Sequence, residues 1–226
     1  MNALPKHLAS SMPSHVDIQV NVQVASIRMN DANWRVTDTQ GKEYDAGRLL
    51  LTPPVPQSLQ LLAGIRDQLT TAERDALERI HYAPCVCGLF RVEGETNLPE
   101  PGALQRPDAA ITWIADNQRK GISPEARIVT VHAGADLSQE LYTVDEAQAL
   151  GILRKELEAL LETDSRVTEG ELKKWRYAQP ITLHPDRCLR ATGLPALVFA
   201  GDAFGEARVE GAYLSGLAAA EALTDE

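Results

Sequence analysis

The chain has 226 residues, 44% of them hydrophobic, which is enough to bury one large core or two modest ones. Its formal net charge is −10, from 32 acidic against 22 basic residues, with Lys173, Lys174 and Arg176 as the one tight basic group; this argues against nucleic acid as a partner. No apolar run approaches the roughly 20 residues of a membrane span, and MNALPKHLASSMPSH lacks the apolar centre of a signal peptide, so no membrane partner and a cytoplasmic location are expected.

The first element is a short helix in MNALPKHLASSM, with Leu4, Leu8 and Met12 spaced by four. A strand pattern follows in HVDIQVNVQVASIRM, where Val16, Ile18, Val20, Val22 and Val24 alternate with polar residues. A second strand is expected over Asn33–Thr37 and a turn around residues 39–42. A third, Arg48–Thr52, stops at Pro53-Pro54, and its continuous apolar run suggests burial on both faces. Thr70-Thr71-Ala72-Glu73 is a capping box opening one helix, and Thr143-Val144-Asp145-Glu146 reads as a second. The second helix carries a stripe of Leu150, Leu153, Leu157, Leu160 and Leu161, which is too short for a coiled coil and reads as core.

Between these helices lie strand-like segments at 85–92, 110–115 and 128–133. Loops rather than helices separate them, which indicates an antiparallel sheet. Cys85 and Cys87 alternate on one strand face. Their spacing is too tight for a usual zinc pair, so they read as small buried hydrophobes, and no metal is expected. Composition shifts near 53–57 and 185–193 mark crossings between two domains. No G-x-S-x-G elbow occurs, and the five histidines stand apart.

The tail, PALVFAGDAFGEARVEGAYLSGLAAAEAL, reads as a buried strand over 196–200, then Gly201-Asp202, a glycine-punctuated loop, and a small-residue helix from about Gly211. Such a helix start points amides at whatever lies before the loop. An acid at a strand's C-terminal end can accept hydrogen bonds from a ribityl or ribose chain. The plain alternative is a turn shaped by glycine, a capping aspartate and a helix packed for its own sake.

GDAFGEARVEGAYLSGLAAAEAL resembles the C-terminal flavin motif of the flavin-containing amine oxidase superfamily, and most closely of its renalase-like bacterial members. Three further segments agree in order: NVQVASI with WRVTDTQGKEYDAGRLLLTPPVPQSLQLL, then KKWRYAQP, and the opening helix. The resemblance covers essentially the whole chain and implies FAD as cofactor. It implies an α/β fold: an incomplete FAD-binding Rossmann-like (GR2-type) domain, residues 1–57 and 188–226, plus an α+β substrate domain with an antiparallel sheet, residues 58–187. Val24 matches the residue whose backbone meets the adenine, and Asp202 the acid on the ribityl chain. Gly201, Val209, Glu210, Gly211 and Ala212 match the loop and helix start beside the pyrophosphate and flavin edge. Trp175 and Tyr177 match a segment running toward the isoalloxazine. His184, close behind them, is a substrate-pocket candidate, with a loop or surface position as the plainer reading.

The implied reaction is hydride removal from a carbon beside nitrogen, on an amine or a reduced nicotinamide nucleotide, with reoxidation by dioxygen. For a nicotinamide dinucleotide, Arg176 or Arg208 is expected near the mouth of the site. The chain departs from the family in lacking G-x-G-x-x-G, since no two of its glycines stand two apart. A segment missing here or supplied in trans, or a non-catalytic remnant serving as an interaction module, are the readings this leaves, and weak FAD binding is expected.

Overall fold

The structure is a computed structural model and describes residues 3–224. The chain opens with helix α1 (Ala3–Ser10), strands β1 (Val24–Asn30), β2 (Asn33–Asp38), β3 (Glu43–Ala46) and β4 (Leu49–Leu51), and helices α2 (Val55–Leu61) and α3 (Thr71–Glu78). Strands β5 (His81–Glu93), β6 (Ala103–Gln105), β7 (Ile111–Asp116) and β8 (Ile128–Ala133) come next, then helices α4 (Ala135–Thr143) and α5 (Glu146–Glu158). Strands β9 (Arg166–Thr182), β10 (Leu189–Arg190) and β11 (Leu197–Phe199) and helix α6 (Val209–Thr224) complete the order. The result is a mixed α/β protein with antiparallel sheets. Two compact units divide it: one holds the described residues up to Glu78, Asp186–Gly201 and those from Tyr213, the other Arg79–Pro185 and Asp202–Ala212.

In the first unit, β1, β2 and β3 form an antiparallel meander. Trp34 on β2 is fully buried and its indole N–H donates to the Ala196 carbonyl at 3.2 Å. The Asp38 carboxylate accepts from the amides of Gln40 and Lys42, and Gly41, at φ +82°, closes the expected turn. A second sheet runs β10-β11-β4, with β11 parallel to β4 and antiparallel to β10. Val198 and Ala200 pack under Ala219 of α6, with Ala222 and Leu223 alongside. The Thr70–Glu73 box forms as expected: the Glu73 carboxylate accepts from Thr70 N at 2.9 Å, and Glu73 N donates back to Thr70 Oγ1. The same carboxylate accepts from the amide and hydroxyl of Thr192, tying α3 to the segment before β11.

Two expectations for this unit need correction. The alternating run from residue 15 is not one strand, because only its end, from Val24, pairs. Asn21 sits at φ +59°, a left-handed turn that breaks an extended run, and Val16, Ile18, Val20 and Val22 stay exposed. Leu49–Leu51 is not buried on both faces either. Leu51 is 6% exposed and Leu50 37%, and no strand among the described residues pairs with the second edge of β4.

The second unit is built on a five-stranded antiparallel sheet, order β6-β7-β8-β5-β9. One face packs Val86, Phe90, Ile114, Val129 and Val131 against Leu141 of α4 and Leu153 and Leu157 of α5. The leucine stripe of α5 is therefore core, as its spacing indicated. Its cap, however, is Asp145, which accepts from Gln148 N, whereas Thr143 ends α4 and donates to the Glu140 carbonyl. The second capping box thus shifts by two residues, because a separate helix occupies 135–143. The opposite sheet face presents Cys85, Leu89, Thr130 and His132 by simple alternation. Burial pushes the thiols of Cys85 and Cys87 up to about 11 and about 12, which suits inert small hydrophobes. Among the described residues no His, Cys, Asp and Glu group could hold a metal, and no helix is long and apolar enough to cross a membrane.

Asp116, fully buried at the end of β7, accepts from Thr96 Oγ1 and from the amides of Gln118 and Arg119, and lies 3.0 Å from Arg127 Nε. Arg127 also pairs with Glu95 at 2.8 Å, so removing Asp116 takes one of its two carboxylates and leaves Thr96 Oγ1 and the amides of Gln118 and Arg119 without their acceptor. Asp116→Ala should lower stability by about 3 kcal/mol, read from the midpoint of urea unfolding.

Candidate functional site

The candidate site begins where β11 ends. Leu197, Val198 and Phe199 are buried, and the ladder continues through Ala200 N donating to the Leu51 carbonyl at 3.0 Å. Gly201 then turns at φ +137°, with its Cα close enough to the Thr52 carbonyl that an added Cβ would stand 3.4 Å from it. This backbone conformation favours glycine. The Gly201 amide donates to Ser215 Oγ at 2.9 Å, and that hydroxyl donates to the Arg187 carbonyl at 2.5 Å. Ser215 is completely buried, so it fixes the turn from inside α6. Sequence reasoning missed it; a serine set among the alanines and glycines of the helix was the available signal.

Asp202 follows, half-buried. Burial raises its carboxyl above the usual carboxylate range, while its own backbone amide pulls it back in part. Among the described residues no other group hydrogen-bonds this carboxylate. It is a partly desolvated acceptor with unused capacity, the donor-seeking group that ribityl hydroxyls suit.

The loop after Asp202 is held by main-chain bonds. His184 N donates to the Ala203 carbonyl at 2.8 Å, Gly205 N donates to the His184 carbonyl at 2.9 Å, and the rings of His184 and Phe204 lie 5.5 Å apart. His184 is 8% exposed, so the surface reading is corrected: it is a buried residue that anchors the loop. Further on, Arg208 N donates to the Glu206 carbonyl, and Ala212 N donates to the Arg208 carbonyl. The helix thus begins at Val209, two residues earlier than expected, with the amides of Val209, Glu210 and Gly211 ahead of the first helical bond. Gly211 has a steric cause of its own, because a Cβ there would stand 2.1 Å from the Glu206 carbonyl oxygen. Val209 and Glu210 are exposed, and Ala212 is half-buried.

The aromatic candidates fall into separate contacts. Trp175, 48% exposed, lies 6.5 Å from the His132 ring, and Tyr177 makes an edge contact with Tyr82 at 5.7 Å. His132 is a partner the sequence did not single out. Burial, assisted by the charge of Lys120, holds its imidazole below the ordinary histidine value of 6.5. Val24, at the start of β1, borders a cavity of about 700 Å³ that also touches Ile27, Leu49, Leu51, Thr52 and Gln57. Arg208 pairs with Glu206 at 3.3 Å.

The site thus consists of a strand paired parallel with β4 and antiparallel with β10, a glycine turn into an acid, and a helix start behind a tight loop. The model of the family "flavin containing amine oxidoreductase" matches residues 1–224, and the chain belongs to that family. It is similar to renalase of Mus musculus, with 24% identity over 217 residues, covering 93% of this chain and 64% of renalase. Two solved structures share the fold. A protein from Exiguobacterium sp. 255-15 assigned as a protoporphyrinogen oxidase matches with a TM-score of 0.61 at 15% identity, over 97% of this chain and 51% of that one. The PF1083 protein of Pyrococcus furiosus matches with a TM-score of 0.56 at 16% identity, over 89% and 46%. The chain therefore spans 64% of the length of renalase and about half that of the solved structures.

Two glycines of α6 should respond oppositely to alanine. Gly211→Ala drives a methyl into the Glu206 carbonyl and should lower the melting temperature, whereas Gly216, with open space around its Cβ position, should gain stability by up to about 1 kcal/mol. Thermal unfolding of both variants checks the contrast. For His132, the folded chain resists protonation, so acid favours the unfolded state and stability declines as the pH falls below 6.5. An NMR titration should place its midpoint below that value, and His132→Gln should flatten the acid limb of the stability curve.

Proposed function

We propose that the chain holds the ribityl side of an FAD and covers the substrate in an oxidoreductase acting on an amine or a reduced nicotinamide nucleotide. In this reading residues 1–57 and 188–226 belong to an incomplete Rossmann-like FAD-binding domain and 58–187 to the substrate domain. The observation that carries it is Asp202: a carboxylate with raised pKa and no side-chain donor, at the C-terminal end of a buried strand. The residues fit the group. Asp202 would accept from ribityl hydroxyls, the amides of Val209, Glu210 and Gly211 would face the anionic or pyrimidine edge with Ala212 behind them, Gly201 would allow close approach, and Val24 would border the adenine.

Bound flavin would supply the hydride acceptor, and dioxygen its reoxidation. The chain's own residues would then bind and shield. Trp175, Tyr177 and His184 are the substrate-side candidates, with His132 beside Trp175 as a neutral polar neighbour. No nucleophile of the chain is required. A second reading is supported by the absence of any glycine pair two apart: an interaction module that does not retain FAD, or a chain completed in trans by a nucleotide-binding segment.

An FAD titration of the purified chain, followed by flavin fluorescence, tests the proposal. Weak, saturable binding is expected, and Asp202→Ala should weaken it about tenfold, the loss typical of a charge-assisted hydrogen bond. Equal affinity in the two proteins removes Asp202 from the site. A stoichiometric flavin band in the purified chain contradicts the weak-binding expectation, and no binding to either protein favours the interaction module.

A further inference from the structure

The long pairing of β5 with β9 is interrupted at one place. Cys85 faces Trp175 and Ala83 faces Gln179, so the single residue Pro84 stands opposite Arg176, Tyr177 and Ala178. The cause is local. Proline offers no N–H to the ladder, and the partner strand bulges where that bond is lost. On a regular strand Arg176 and Tyr177 would point to opposite faces. Here both line one hollow of about 270 Å³, together with Tyr82, Pro84, Gln139 and Tyr142. Bulges re-aim side chains in this way and are common beside functional sites.

The chemistry of the hollow is specific. Three tyrosines and a proline wall it. The Arg176 guanidinium lies 5.9 Å from the centre of the Tyr142 ring, and the Lys174 ammonium lies 5.5 Å from the same ring. Lys174 is already engaged, donating to the carbonyls of Tyr142 (3.2 Å) and Val144 (3.4 Å) at the end of α4. Arg176, apart from that ring, is paired with no carboxylate among the described residues, in a chain of net charge −10. A guanidinium presents a planar fork of donors that matches a carboxylate in two parallel hydrogen bonds. The volume is near the lower end of ligand pockets, about 300 Å³, which suits one ring rather than a dinucleotide.

We propose that the open hollow made by the Pro84 bulge binds a single flat ring bearing a carboxylate, with Arg176 pairing the carboxylate and Tyr82, Tyr142 and Tyr177 lining the ring's seat. The hollow shares Tyr177 with the substrate-side candidates above, but it lies within the second unit and rests on no flavin contact. Its test therefore uses the full 226-residue chain with no flavin added.

Benzoate is the probe, titrated into isotopically labelled protein and followed by NMR, with benzyl alcohol as the neutral comparison. Saturable binding of roughly millimolar affinity is expected for a ligand this small, with shifts centred on Tyr82, Tyr142 and residues 176–178. Benzyl alcohol should bind at least about tenfold more weakly, and Arg176→Met should cost benzoate a similar factor. Arg176→Lys should keep part of the affinity, and Tyr177→Leu should lose several-fold, all with unchanged circular dichroism. Equal binding of the acid and the alcohol, an unaffected Arg176→Met, or shifts confined elsewhere would overturn the proposal. Tighter binding of phenyl phosphate than of benzoate would overturn the carboxylate assignment.

Discussion

Three residues of parallel pairing, Leu49–Leu51 against Leu197–Phe199, carry more of this protein than their length suggests. They join stretches far apart in the chain and set where the polypeptide emerges at Gly201 and Asp202. With Leu51 and Phe199 in register, Ala200 bonds to Leu51 and the Thr52 carbonyl lies beneath Gly201. A one-residue slip would exchange the buried and exposed side chains of β4 and carry the acid out of place. Ser215 reinforces the register from α6 by bonding the Gly201 amide and the Arg187 carbonyl together.

Local signals were the legible ones. The Thr70–Glu73 box, the α5 leucines and the strand–glycine–acid–helix order of the tail each depend on residues a few places apart, and each formed. The 17-residue β9 was not recognised as a strand because most of its positions are exposed on both faces, so its lysines and glutamates give no apolar alternation. Helix α4 was missed for a related reason: Gly134 precedes it without a side-chain cap, and the sequence offers no start signal. The run from Val16 to Val22 erred in the other direction, since its alternation is sound but one residue, Asn21, turns the chain.

The same division holds at the candidate site. Asp202 was readable because strand end, acid and glycine are contiguous. The pairing of Trp175 with His132 joins β9 to β8, which are not neighbours in the sheet, and no spacing rule reaches that far. Gly211 and Gly216 look alike in sequence, yet only Gly211 has a carbonyl oxygen where its side chain would be. Identity of residue type did not reveal which one the loop requires.

The exposed row of Val16, Ile18, Val20 and Val22 has a colloidal consequence. Extended backbone with a branched apolar side chain at every second position, as over Val16–Val20 before the Asn21 turn, is a template on which identical chains stack. Asp17 supplies the one charge between Val16 and Val24. Asp17 therefore adds to the chain's overall net charge of −10 the one local repulsion between copies at this row, and both are screened as salt is added.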